Sequence, residues 1–287
     1  MATTVLGLSL DLSVVLYHPD ADLLARSLDT IGAAADRLAR ETGVRTRLWI
    51  VDNGAPKDDQ AGGHAASHPF RSLLDRYASA GRPPATLIAG HGNIGYGAGH
   101  NLAIRQGDAP YHLILNYDIL LEPEALLAAW RYMESHPRTV LLTPKVFGPA
   151  GEQEFLCKRR PTVLDLGLRA FAPAAIKRMF ARRLERYEMR DVTRDAVVTG
   201  LEQVSGAFMF FRRDALRRLG GFDDGYFLYF EDFDLSRRAM ALGEIAYVPD
   251  VRLVHFGGKA ARKGGAHIRM FARSALRFFN THGWRLV

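Results

Sequence analysis

The chain has 287 residues, 48% of them hydrophobic, enough to bury a large core in one domain or in one domain with a substantial appendage. A single cysteine, Cys157, excludes a disulfide framework and a cysteine-based zinc site, and it fits a reducing cytoplasm. The formal net charge of +7 favours anionic partners such as nucleotides, nucleic acid or membrane headgroups.

The N-terminal stretch has no basic leader, and Asp11 interrupts its apolar run, so it reads as a first core strand and not as a signal peptide. No apolar run approaches the roughly 20 residues that span a bilayer, so a soluble or peripheral protein is expected. LSVVLY (Leu12 to Tyr17) predicts a strand, and Pro19-Asp20 opens a helix carrying Leu23, Leu24, Leu28 and Ile31. RLWIVDN (Arg47 to Asn53) predicts a second strand, and a loop over 55–68 leads to a short helix over 69–80. ATLIAG (Ala85 to Gly90) and YHLILN (Tyr111 to Asn116) predict the third and fourth strands, followed by a helix over 122–135 and a strand over 139–146. Strands alternating with helices, with polar residues just after each strand, indicate an α/β layered sheet that binds ligands at its carboxyl edge. Asp52 and Asp118 fall on that edge.

The second half differs. Residues 157–190 are strongly basic and interleave Leu, Ile, Met and Phe at helical spacing, broken by Pro161 and Pro173. SGAFMFFRR (Ser205 to Arg213) predicts a strand, and EDFDLSRRAMALG (Glu231 to Gly243) a helix with an acidic start and a glycine stop. IAYVPDVRLVHFGG predicts two short strands, and a last basic helix is expected over 266–282.

Three constellations could carry chemistry. Asp118, after a buried strand, is either a helix-capping acid or an oxygen ligand for a metal shared with a diphosphate. GHGNIGYGAGHN (Gly90 to Asn101) joins a strand to a helix, so its glycines could admit a ligand to the backbone, though it is neither a Rossmann nor a Walker loop. In YFLYFEDFDLSRRA (Tyr226 to Ala239) three acids crowd one helical turn behind an aromatic run. They either complement the helix dipole or include a desolvated general base. His255 ends a strand before a glycine pair; beside Asp118 it would be a second metal ligand.

LSVVLYHPD, IVDNG, GNIGYGAGHN, LNYDI, SGAFMFFRR, GGFDDGYFLYFEDFDLSRRA and VHFGG stand in the order and spacing of family 2 glycosyltransferases. The chain resembles the bacterial rhamnosyltransferase-type members that build O-antigen and related surface polysaccharides. That resemblance implies a GT-A fold with a mostly parallel Rossmann-like sheet flanked by helices. Residues 1–150 would form its nucleotide-sugar half and 151–287 its acceptor half, with the 157–190 insert and a C-terminal helix. It also implies a nucleotide-sugar donor (dTDP-L-rhamnose favoured over UDP-sugars), Mg²⁺ or Mn²⁺, and inversion at the anomeric carbon.

Position by position, the resemblance implies that Asp52 contacts the base or ribose and that Asn93, Gly95 and Asn101 line the donor. Asp118 matches the last position of the family's D-x-D and Asn116 replaces its first acid, which leaves His255 as the expected second metal ligand. Asp232 matches the catalytic base, and Lys263, Arg269 and Arg273 are candidates to close over the diphosphate. The expected acceptor is a glycan or a polyprenyl-diphosphate-linked sugar, met in the cytoplasm or on an anionic inner membrane face by the basic insert. No nucleic-acid motif is present. The rival readings are a sugar nucleotidyltransferase, which LYHPDAD after the first strand disfavours, a glycoside hydrolase, and a non-catalytic membrane or nucleic-acid module.

Overall fold

The computed structural model describes residues 8–55, 57, 68–257 and 265–287. Lys263, and most of the expected 55–68 loop, lie outside the described residues. Strand β1 (Leu8–Leu16) runs through the sheet buried from Leu10 to Leu16, with Asp11, Ser13 and Val15 on one covered face and Leu10, Leu12, Val14 and Leu16 on the other. Helix α1 (Ala21–Thr42) starts where the Asp20 carboxylate accepts the Leu23 N–H at 3.0 Å, and it stops at left-handed Gly43. Its stripe of Leu24, Leu28, Ile31, Ala35 and Leu38 packs against those β1 residues.

β2 (Arg45–Asp52), α2 (Arg71–Ser79), β3 (Ala85–Ile88), α3 (Tyr96–Gln106) and β4 (Tyr111–Asn116) complete a parallel half-sheet in the order β3-β2-β1-β4. Leu16 pairs with Asp52 and Val15 with Asn116, so the carboxyl ends of three neighbouring strands come level. The polar residues that end them therefore share one edge.

The chain continues through β5 (Ile119–Leu121), α4 (Ala125–Ser135), β6 (Thr139–Phe147), β7 (Gln153–Glu154), three short helices α5 (Val163–Phe171), α6 (Ala174–Met179) and α7 (Ala181–Tyr187), and β8 (Val198–Thr199). It ends with β9 (Phe208–Arg212), α8 (Arg213–Leu219), α9 (Glu231–Ala239), β10 (Glu244–His255) and α10 (Gly265–His282). These strands extend the sheet as β4-β9-β6-β10-β5. This half is mixed, because β9 lies antiparallel to both β4 and β6 and β5 lies antiparallel to β10. Along β9, Phe208 and Phe210 enter the core beneath α1 and α4, and Met209 and Phe211 enter the core beneath α8 and α9. The sheet is thus covered on both faces.

The expected two strands over 245–255 are one. Between Val248 and Arg252 the pairing with β6 slips, which accommodates Pro249, a residue with no N–H for a ladder. The short strands β5, β7 and β8 were not expected; two or three residues carry no readable period.

Two further features position the site. Gly95, at the start of α3, has φ +96°, and a Cβ there would lie 2.4 Å from the Phe227 carbonyl oxygen, so only glycine fits. Helix α10 clamps the segment before α9: the Ser274 hydroxyl donates to the Leu228 carbonyl at 2.8 Å, and Phe278 and Phe279 pack with Tyr226 and Phe230.

Candidate active site

Strand β5 is short, but it brings two distant side chains together. Ile119 pairs with His255, and the Phe256 N–H donates to the Asp118 carbonyl at 2.8 Å. His255 Nε2 then lies 3.6 Å from Asp118 Oδ1, a buried oxygen with no hydrogen-bond partner among the described residues. His255 Nδ1 is 3.0 Å from Glu154 Oε2 on β7. Burial disfavours the imidazolium, but the Glu154 hydrogen bond and the Asp118 charge outweigh it and hold the His255 pKa above its usual value. Neighbours that favour a proton there also favour a divalent cation. An orphaned carboxylate oxygen beside a histidine oriented by a second carboxylate fits a metal site with two protein ligands. No group of three or more His, Cys, Asp or Glu suited to a metal occurs among the described residues, so the other donors would be phosphate and water oxygens.

The second centre is the start of α9. Tyr229 and Phe230 take φ values of +71° and +65°, which bulky residues rarely adopt, and which cost about 1–3 kcal/mol each. Phe230 is held there by the Phe271 and Phe278 rings at 5.2 and 5.4 Å, and the Tyr229 hydroxyl by His267 Nδ1 at 3.0 Å. This turn drives Glu231 and Asp232 into the protein. Asp232 Oδ2 accepts the Gly206 N–H and Oδ1 the Phe233 N–H, both at 2.8 Å. Burial pushes the Asp232 pKa up, while those amides act against the rise. Glu231 Oε2 has no partner among the described residues, and burial together with the Asp232 charge pushes the Glu231 carboxyl up to about 8. At neutral pH the pair therefore keeps one proton on Glu231 and one charge on Asp232, where the two amides stabilise it.

Tyr96 joins the two centres. Its hydroxyl lies 2.9 Å from Asn116 Oδ1 and 2.7 Å from the Gly206 carbonyl oxygen, and the Gly206 N–H holds Asp232. Burial, then the neighbouring acids Glu231, Asp232 and Asp118, push the pKa of its phenol up. A cavity of about 770 Å³ is lined by Glu231, Asp232, His255 and Glu154, and on its other walls by residues of the basic insert and by Phe271 of α10.

The other expected residues divide. Asp52, at the end of β2, accepts the Gly54 N–H at 2.7 Å, and its second oxygen is 2.9 Å from His68 Nε2; a nucleoside would have to compete for it. Asn93 Oδ1 accepts the Gly95 N–H at 3.1 Å and shapes the glycine loop. The Tyr96 N–H at the start of α3 is taken by the Phe227 carbonyl at 3.1 Å and is not open to an anion.

The Asn101 amide donates to the Phe222 carbonyl and to Asp224 and accepts the Phe222 N–H, so it fastens the 222–224 loop, and a donor would have to compete for it. The Ser274 and Phe278 face of α10 is buried, which leaves Arg269 and Arg273 exposed, with no ion pair among the described residues. Two contributors escaped the sequence, Glu154 and Tyr96, whereas Glu231 had a visible signal in its place beside Asp232 behind an aromatic run.

The proton on Glu231 has a thermodynamic consequence. The folded chain keeps it up to about pH 8, whereas a glutamate in the unfolded chain releases it near 4.5, so stability falls as pH rises between those values. Glu231→Gln removes that loss. Denaturant titrations should find the variant more stable than wild type at about pH 8, by a margin on the order of a few kcal/mol, and the margin should shrink towards about pH 5. Equal stabilities at the higher pH would contradict a buried, protonated Glu231.

Comparison with known proteins identifies the family and the fold. The model of the family described as "Glycosyltransferase like family 2" matches residues 78–275. The chain is 27% identical to N-acetylglucosaminyl-diphospho-decaprenol L-rhamnosyltransferase of Mycobacterium tuberculosis over 94% of its own length and 84% of that protein's. It is 28% identical to the rhamnosyltransferase WbbL of Escherichia coli over 58% of this chain and 62% of that protein. In fold it resembles the mannosyltransferase PcManGT from Pyrobaculum calidifontis, solved with GDP-Man and Mn²⁺, with a TM-score of 0.59 and 20% identity. That match covers 95% of this chain and spans 63% of the mannosyltransferase chain. The chain belongs to the family 2 glycosyltransferases, has the GT-A fold, and is rhamnosyltransferase-like within that family.

Proposed function

We propose that this glycosyltransferase moves L-rhamnose from dTDP-L-rhamnose, with inversion and with the help of Mg²⁺ or Mn²⁺, onto a glycan or lipid-linked acceptor of bacterial surface polysaccharide. The observation that carries the reading is that Asp232 and His255, the latter beside Asp118, line or border one cavity. The donor sugar is supported by the two rhamnosyltransferase relatives, at 27% and 28% identity. Residues 1–150 hold the nucleotide sugar in this reading, and 151–287 supply the acceptor side.

In the reaction, Asp232 accepts the proton of an acceptor hydroxyl as that oxygen attacks the anomeric carbon from the face opposite the nucleoside diphosphate. The Gly206 and Phe233 amides hold the carboxylate's aim through the transfer. Asp118 and His255 would hold the cation, with Glu154 fixing the imidazole orientation. A bound divalent ion supplies positive charge against the leaving diphosphate. Neutral Glu231 spares Asp232 a second adjacent charge, and the Tyr96 hydroxyl ties the Asn116 edge to the Gly206 turn.

The acceptor would be met at the inner face of the cytoplasmic membrane. The insert exposes Phe171, Ile176 and Met179 beside Lys177 and Arg178, which suits an anionic bilayer. No helix among the described residues is long and apolar enough to cross a membrane. Flotation with anionic liposomes should recover the protein at low salt and release it at high salt; absence of binding at low salt would remove the membrane contact.

Asp232→Asn tests the chemistry. Turnover of dTDP-L-rhamnose should fall about 10²–10⁴-fold, while dTDP binding with Mn²⁺ is retained. Near wild-type turnover would eliminate Asp232 as the base, and joint loss of donor and metal binding would move it to the metal site. Asp234 makes a poor comparison despite its position two residues on. It is buried and paired with Arg238 and His282, both at 2.8 Å, so its replacement acts on stability.

A further inference from the structure

The cavity wall supplied by the insert carries an uneven charge. Three cations converge on one carboxylate: Arg190 at 2.6 Å from Glu188 Oε2, Arg169 at 3.3 Å and Lys158 at 4.0 Å from Oε1. All four residues line the cavity that also holds Glu231 and Asp232. Of the other lining acids, Glu154 is engaged with His255, and exposed Glu152 sits in the turn between β6 and β7. Against Glu188 alone the three cations leave about two positive charges at neutral pH, which Glu152 offsets in part.

These cations are held in place. Lys158 is only 6% exposed and donates to the Phe155 carbonyl. Arg190 lies over the Phe155 ring at 5.0 Å and Arg169 over the Tyr187 ring at 5.8 Å, so both guanidinium groups are steered by aromatic faces. Burial first, and then the neighbouring Arg169, pull the Lys158 pKa down to about 8, although Glu188 acts against the fall. The Tyr187 hydroxyl, also on this wall, is buried and has no hydrogen-bond partner among the described residues. Planar guanidinium forks, an ammonium and a spare hydroxyl donor together match the oxygens of a phosphate chain.

We infer that Lys158, Arg169, Arg190 and Tyr187 form an acceptor subsite that binds the diphosphate of a lipid-linked sugar, separate from the donor diphosphate at Asp118 and His255. The inference rests on the glycosyl-transfer reading, and it narrows the acceptor from any glycan to a diphosphate-bearing one. A cavity of about 770 Å³ has room for a sugar between this wall and Asp232. Glu188 then serves as the internal counter-ion that keeps the cations gathered when no substrate is bound.

The probe is farnesyl diphosphate, titrated calorimetrically into the full chain in EDTA, so that no divalent ion assists the donor site; dTDP is titrated in parallel. Wild type should bind farnesyl diphosphate without metal, and Asp118→Ala should bind it equally well. The double variant Arg169→Gln, Arg190→Gln should weaken it roughly ten- to hundredfold, the effect of losing charge-assisted hydrogen bonds. Glu188→Gln should act in the opposite sense and tighten binding, because it removes the competing carboxylate; a purely structural ion-pair cluster gives no such gain. The subsite is overturned if the double variant binds like wild type, if Glu188→Gln does not tighten, or if binding requires Mn²⁺ and is lost in Asp118→Ala, which would place the diphosphate in the donor site. The titration needs neither donor nor turnover, so a failure to transfer rhamnose counts against the functional reading alone.

Discussion

The antiparallel pairing of β5 with the end of β10 sets the geometry on which the rest of the site depends. Asp118 and His255 are far apart in sequence and belong to opposite halves of the chain. Backbone hydrogen bonds, and not an attraction between their side chains, bring them within 3.6 Å. A one-residue slip in this register would turn His255 to the other face of the sheet. The slip in β10 around Pro249 lies upstream of that contact, so the strand's irregularity is absorbed before the histidine is reached. β7 then aligns with β6 and delivers Glu154 to the other ring nitrogen.

The second requirement is an aimed carboxylate. Burying Glu231 beside half-buried Asp232 is costly, and so are two consecutive left-handed aromatic residues. The aromatic cluster of Tyr226, Phe230, Phe278 and Phe279 offsets both, because its packing against α10 over-determines the turn. Helix α10 thereby has a structural role beside the one its arginines suggested: its apolar face supports the turn that carries Asp232. The Tyr96–Gly206 link ties the glycine loop to the turn whose amide holds Asp232, with Gly95 required by its φ and by the Phe227 carbonyl above it.

What was legible in the sequence follows from what is local. The alternating strands and helices, Asp118 at a strand end and the Glu231-Asp232 pair opening a helix are set by periodicity and capping signals over a few residues. The resemblance to the family then identified their order, and the family match agrees with it. What escaped depends on tertiary contacts. Glu154 sits on a two-residue strand with no period to read. Asn101 lies in a glycine loop that looks built for a ligand, and only the folded chain reveals that its amide is consumed by the 222–224 loop. Arg269 and Arg273 could not be told from a solvated helix face until the buried stripe of α10 was fixed. Membership in the family also sets aside the hydrolase, nucleotidyltransferase and non-catalytic readings that paired acids and a basic segment had left open.

The central claim is that Asp118 and His255 jointly hold the divalent ion that accompanies the donor. Crystals grown with dTDP and Mn²⁺ and measured at the manganese absorption edge test it directly. The account predicts one anomalous peak about 2.1 Å from Asp118 and His255 Nε2, shared with the diphosphate oxygens. A manganese peak elsewhere with both side chains unligated, or ordered dTDP bound with no manganese between them, would contradict it.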